Sequence, residues 1–178
     1  SLQAAVLRIK LPLLDDWTNQ RAQNAIRYTE MFNHCELHDA ITSPKIDTRG
    51  RHVWNQYVIR VADGKRDALR EHLTASGVGT EIYYPVPLHL QKCFDNFGWK
   101  MGDLPITEYA AKETLALPIF AELTPAEQAT VVGRIAEFFG RSPVPEEFEG
   151  MDKGSDAIGQ PQHVKRTGLI GRADDVRC

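Results

Sequence analysis

Residues His52–Ala62 read HVWNQYVIRVA, with Val53, Asn55, Tyr57, Ile59 and Val61 on alternate positions of a stretch rich in β-branched and aromatic side chains. That pattern predicts a strand, and a strand is stable only with neighbours in a sheet and a covering layer on its apolar face. The flanking sequence supplies both. Lys65–Ser76 has Leu69 and Leu73 at helical spacing, and Gly77 stands where a C-cap glycine belongs. Val78–Tyr84 returns as a strand stopped by Pro85 and Pro87. Helical spacing resumes over Thr107–Thr114, Leu115–Ile119 suits a third strand, and Thr124 caps a last helix running to Phe139. Leu37–Arg51, with Pro44 and Gly50, reads as a loop. The mixed order predicts an α+β domain: a small antiparallel sheet of about three strands with helices on one face. No internal repeat is visible.

The first residues add a long kinked helix in front of the sheet. Leu2, Val6, Ile9 and Leu13 form one apolar stripe, and Leu7, Leu11 and Leu14 form another beside it. Two stripes call for burial on more than one side. Only Ser1 precedes the helix as a potential cap, and Pro12 should kink it near Leu11. A second helix follows over Leu13–Phe32, with Trp17, Ala25, Tyr28 and Phe32 inward. The blunt start leads us to expect the C-terminal end of a larger enzyme, sticky at this first helix. Residues 142–178 are poor in large apolar groups and lack periodicity, so a disordered tail is expected after a domain spanning 1–141.

Hydrophobic residues make up 42% and charged residues 25% of the chain, the balance of an ordinary globular protein. A net charge of -3 without a basic cluster argues against nucleic acid as a partner. Cys35, Cys93 and Cys178 are scattered and odd in number, which reads as reduced thiols in a cytoplasmic protein. No apolar run approaches the roughly 20 residues of a membrane span, and no secretory signal pattern is present.

Two motif-like features carry little chemistry. His34 and His38 are spaced to share a helix face, yet Cys35 stands where the zincin pattern requires Glu, and the helix is ending there. They read as surface histidines, and no metal is expected. Gly168-Leu169-Ile170-Gly171 has no strand before it and no Lys-Ser/Thr after it, so it is not a phosphate loop. No G-x-S-x-G marks a nucleophilic serine. The informative segment is Thr80–Gln91, TEIYYPVPLHLQ, where a strand runs into a proline-held turn that displays Tyr83, Tyr84 and His89. Fixed φ angles present these side chains with little entropy to lose on binding. Phenol and imidazole suit sugar hydroxyls or phosphate oxygens. The alternative is that the tyrosines simply divide between core and surface, as alternating strand residues do.

Four blocks in order, LQAAVLRIKLPLLDDW, HVWNQYVIRV, RDALREHLTASGVGTEIYYPVPLHLQ and LALPIFAELTPAEQATVV, resemble DegT/DnrJ/StrS-type sugar aminotransferases over residues 1 to about 139. The resemblance implies a pyridoxal-phosphate (PLP) enzyme that aminates nucleotide-linked keto sugars with glutamate as donor, working as a homodimer. It implies that this chain is the small domain, which closes over the substrate side of the site. The Schiff-base lysine and an Asn-x-Arg arm would lie upstream, so no catalytic or cofactor-binding residue and no bound PLP are expected in this chain alone. Lys10 and Lys112 fall on helices, and Lys45, Lys92 and Lys100 fall in loops without a glycine-rich phosphate cradle.

Carried over by position, Tyr83 or Tyr84 and His89 line the substrate entrance. Two departures bear on which sugar is recognised: Tyr83 and Asn55 both stand where the family often has His. Arg60 could meet an acidic group, although a salt bridge is the commoner fate of such a residue. A second reading is a non-catalytic interaction or regulatory module derived from the same family.

Overall fold

The computed structural model describes residues 1–47, 49–148 and 150. Helix α1 spans Leu2–Lys10, and Ser1 does cap it, its Oγ accepting from the Ala4 N–H at 3.4 Å. Pro12 lies in a 3-10 turn, Leu11–Leu13, after which α2 runs from Leu14 to His34. The proline removes a backbone donor and the chain answers by tightening one turn. No residue of α1 is buried, and Leu2 (83%), Ile9 (75%) and Leu7 (66%) stand open.

Strands β1 (Ile41–Thr42), β2 (Tyr57–Val61) and β3 (Thr114–Leu117) form one antiparallel sheet in the order β1-β2-β3. Pairing sets Tyr57 opposite Leu117 and Ile59 opposite Leu115. Pleating sends Tyr57, Ile59 and Val61 to one face, where all three are fully buried, and leaves Arg60 exposed on the other. Helices α2, α3 (Arg66–Ala75) and α5 (Pro125–Phe138) share the core on that face through Tyr28, Met31, Leu69, Leu73, Val132 and Ile135. Helix α4, Pro105–Glu113, leads directly into β3. The fold is the expected α+β arrangement of three strands with helices on one face.

Polar groups in this core are paired. The Tyr28 hydroxyl donates to the Pro118 carbonyl at 3.0 Å, and the Tyr57 and Thr29 hydroxyls meet at 2.9 Å. Burial pushes both phenols above their ordinary range, so they stay neutral. Gln128 on α5 donates to the Asn24 carbonyl on α2 at 2.8 Å and accepts from Arg27 at 2.7 Å. Asn24 in turn donates to the Phe120 carbonyl. This chain of bonds fixes the α2–α5 crossing beside the segment that follows β3.

Several boundaries differ from the sequence expectation. The strand expected over His52–Ala62 is paired only from Tyr57, because Trp54 takes φ 51°, donates its N–H to His52 Nδ1 and folds its buried ring toward Tyr57. Val78–Tyr84 contributes only an isolated bridge between Glu81 and Ala116, since the prolines that follow cannot continue a ladder. The Leu37–Arg51 loop holds the short strand β1. Helix α4 begins two residues ahead of the expected Thr107, with Pro105 in its first turn. Gly77, at φ 78°, ends α3 as expected: its N–H and that of Val78 bond back to Thr74 and Leu73. Thr124 and Glu127 make a reciprocal capping box at the start of α5.

Packing also continues past Arg141. Glu146–Phe148 forms a 3-10 turn, Phe148 is 4% exposed, and its ring meets that of His34 edge-on at 4.9 Å. Residues 149 and 151–178, the remainder of the expected tail with its Gly168–Gly171 segment, lie outside the described residues.

Candidate substrate-facing site

The proline-held segment leaves the sheet at Glu81, whose N–H and carbonyl bond to Ala116 at 3.1 and 2.7 Å. One Glu81 carboxylate oxygen accepts the Ile82 N–H at 2.9 Å. Ile82 is buried; Tyr83 and Tyr84 follow in the open, 46% and 63% exposed, with their rings edge-to-face at 6.4 Å. Pro85 and Pro87 carry the chain into a 3-10 turn, Leu88–Leu90.

Two cavities flank this segment. One, of about 340 Å³, opens between the end of β3 and the entry to β2. Its polar wall is Asn55, Gln56, Thr80, Glu81 and Tyr83, and its floor runs from Ala116 to Ile119. The other, of about 260 Å³, is lined by Leu88, His89, Phe94, Phe97 and Trp99.

The three residues expected to contact substrate are therefore separated. Tyr83 lines the first cavity, His89 lines the second, and Tyr84 stands exposed and lines neither. His89 is not displayed on the turn: it is 7% exposed, with Nε2 3.0 Å from Glu108 Oε1. Glu108 also accepts the Gly102 N–H at 2.8 Å. Burial by itself pushes the Glu108 carboxyl up, but hydrogen bonds from Gly102, His89 and Leu104 outweigh it and hold the group below its ordinary range. A carboxylate facing Nε2 makes that nitrogen the donor, and the buried Nδ1 has no partner among the described residues.

Asn55 and Tyr83 share one cavity wall. Sequence reasoning did not single out Glu81, Gln56 or Glu108. Glu81 lay inside the TEIYYP block as an available signal, whereas Glu108 shows only as one acid in the first turn of α4. Arg60 is spent on a salt bridge to Glu113 at 2.6 Å. His34 and His38 are exposed, and no group of three or more potential metal ligands occurs among the described residues.

The sheet carries its helices on one face and the polar cavity at its strand ends. Residues 1–136 match the DegT/DnrJ/EryC1/StrS aminotransferase family, and the chain belongs to it. It is 47% identical over 139 residues to a "Pleiotropic regulatory protein" of Geobacillus stearothermophilus, covering 78% of this chain and 36% of that one. It is 34% identical over 141 residues to the dTDP-3-amino-3,4,6-trideoxy-alpha-D-glucose transaminase of Streptomyces venezuelae, covering 79% and 36%. Among solved structures, S. venezuelae DesV in complex with a ketimine intermediate superposes with TM-score 0.71 at 34% identity, covering 79% of this chain and 36% of that one. The chain thus spans about a third of the length of the curated relatives it matches.

The described residues do not fit a PLP site. Lys10, Lys45, Lys65, Lys92, Lys100 and Lys112 are all exposed, Lys65 lies over the Phe139 ring at 5.5 Å, and no lysine lines either cavity. A Schiff-base lysine needs a desolvated site beside a phosphate cradle. No helix among the described residues is long and apolar enough to cross a membrane.

Proposed function

We propose that this chain is the C-terminal, substrate-facing part of a PLP-dependent aminotransferase acting on nucleotide-linked keto sugars, with glutamate as amino donor. In this reading the intact protein is a cytoplasmic homodimer, and the chain alone does not transaminate. Its task is to orient the sugar nucleotide and shield the reacting centre from water. The observation that carries the reading is the match to the aminotransferase family through residue 136 together with a polar cavity walled by Asn55 and Tyr83. Tyr84, exposed beside it, offers a phenol to the same ligand, and His89 supports the turn from beneath.

Calorimetric titration of the chain with dTDP-glucose, paired with borohydride trapping of added PLP, tests this. The proposal expects binding that weakens on Tyr84→Phe and His89→Ala, and no single trapped lysine. Stoichiometric trapping at one lysine would contradict it.

A second reading draws on the open apolar face of α1 and on the regulatory name of the Geobacillus stearothermophilus relative. Here the chain is an interaction module without chemistry. It predicts a specific complex lost on Ile9→Glu, with no affinity for dTDP-glucose.

A further inference from the structure

The turn that leads into β2 hangs on one side chain. The backbone N–H of Trp54 donates to His52 Nδ1 at 3.0 Å, and the two ring centroids lie 4.0 Å apart. Trp54 needs such a tether, because its φ of 51° is unfavourable for a bulky residue. With the turn made, its indole is buried (4% exposed) beside Tyr57. The next two residues, Asn55 and Gln56, then fall on the wall of the 340 Å³ cavity.

His52 itself is exposed, so its imidazole exchanges protons with solvent. An Nδ1 that accepts carries no proton, which places the single proton of the neutral ring on Nε2. Imidazoles gain a second proton between about pH 8 and pH 5. Here that proton must go to Nδ1, where it faces the Trp54 N–H across 3.0 Å, two donors with no acceptor between them. Among the described residues bonded to this turn, none offers the imidazolium a free anion. Arg21 on α2 donates to the Val53 carbonyl at 3.1 Å, and Arg51 donates to Asn19 and to Asp15, whose carboxylate it engages at 2.8 Å. Tyr57 on β2 is kept neutral by burial.

We infer that His52 is a positioning residue for the cavity wall: its unprotonated Nδ1 pins the Trp54 amide, and protonation releases the turn that presents Asn55 and Gln56. The device is closed at neutral pH and opens in mild acid. Its consequence for the intact protein rests on the substrate-facing reading above, whereas the latch itself stands on the His52–Trp54 geometry.

NMR of the full chain from pH 8 to pH 5, without ligand, tests it. The Trp54 amide and the Asn55 and Gln56 side-chain amides should shift together, with the midpoint of the His52 imidazole. His52→Asn puts an acceptor that does not titrate where Nδ1 stands, and it should hold the pH 8 spectrum of these groups throughout. His52→Phe keeps a ring against Trp54 but no acceptor; hydrogen-exchange protection of the Trp54 amide should fall about three- to tenfold at pH 8 while that of Ile59 is unchanged. A Trp54 amide that stays put while His52 titrates would overturn the latch. So would a wild-type pH response of Asn55 and Gln56 in His52→Asn. Because no ligand is added, either result sinks the latch alone, whereas failure of dTDP-glucose to bind sinks the nucleotide-sugar reading and leaves the latch standing.

Discussion

The imidazole of His89 and the carboxylate of Glu108, 19 residues apart in the chain, meet at 3.0 Å with both side chains buried. The pair ties the proline-held turn to α4, and Gly102 adds its N–H to the same carboxylate oxygen. Because Glu108 sits below its ordinary value of 4.5, its contribution to stability is present above that pH and is lost as pH falls through the lowered value. Urea unfolding from pH 7 to pH 3 should therefore show a loss of stability in the acid range that is shallower in Glu108→Gln. An identical acid limb in the variant would remove the pair from the account.

Leu69 on α3 is fully buried between the sheet and α5. Truncation to alanine leaves a cavity in a core that relaxes only in part. Leu69→Ala should cost about 2–5 kcal/mol in chemical denaturation.

The capping box at Thr124 fixes where α5 begins, and α5 carries the buried Gln128 that grips α2. Thr124→Ala should lower stability by about 1 kcal/mol, while Thr124→Ser should be close to neutral. A thermal or urea midpoint series distinguishes the two.

On α1 the prediction concerns association and not folding. Leu2 and Ile9 are exposed, so Leu2→Glu with Ile9→Glu should change unfolding free energy by less than about 0.5 kcal/mol. Sedimentation velocity should show less self-association in the double variant, since a contiguous apolar face is being broken. A large drop in stability would show that this face is covered within the chain.

The fold was legible wherever one segment carried its own period. Tyr57, Ile59 and Val61 alternate, Leu69 and Leu73 share a helix face, and Thr124 with Glu127 spells a capping box; each is where its pattern put it. Strand β1 was not legible, because two residues carry no period and Ile41 is defined by its pairing with Val61. Trp54 was read as part of a strand because its positive φ depends on packing that the local sequence does not reveal. The display of Tyr83 and Tyr84 was legible: both stand exposed, as a proline-held turn suggests. The burial of His89 was hidden because its partner Glu108 arrives from a different helix. Likewise Asn55 and Tyr83 share a wall only because β2 and the Glu81 bridge flank β3 on opposite edges.

The central claim is that this domain serves a nucleotide-sugar aminotransferase, and a chimaera tests it most directly. Residues 1–136 would replace the matching third of the S. venezuelae transaminase, with folding and PLP content checked by circular dichroism and absorbance. The account predicts glutamate-dependent amination of a dTDP-linked keto sugar, reduced by Glu81→Gln and Tyr83→Ala. A folded, PLP-loaded chimaera that turns over no sugar nucleotide would contradict it.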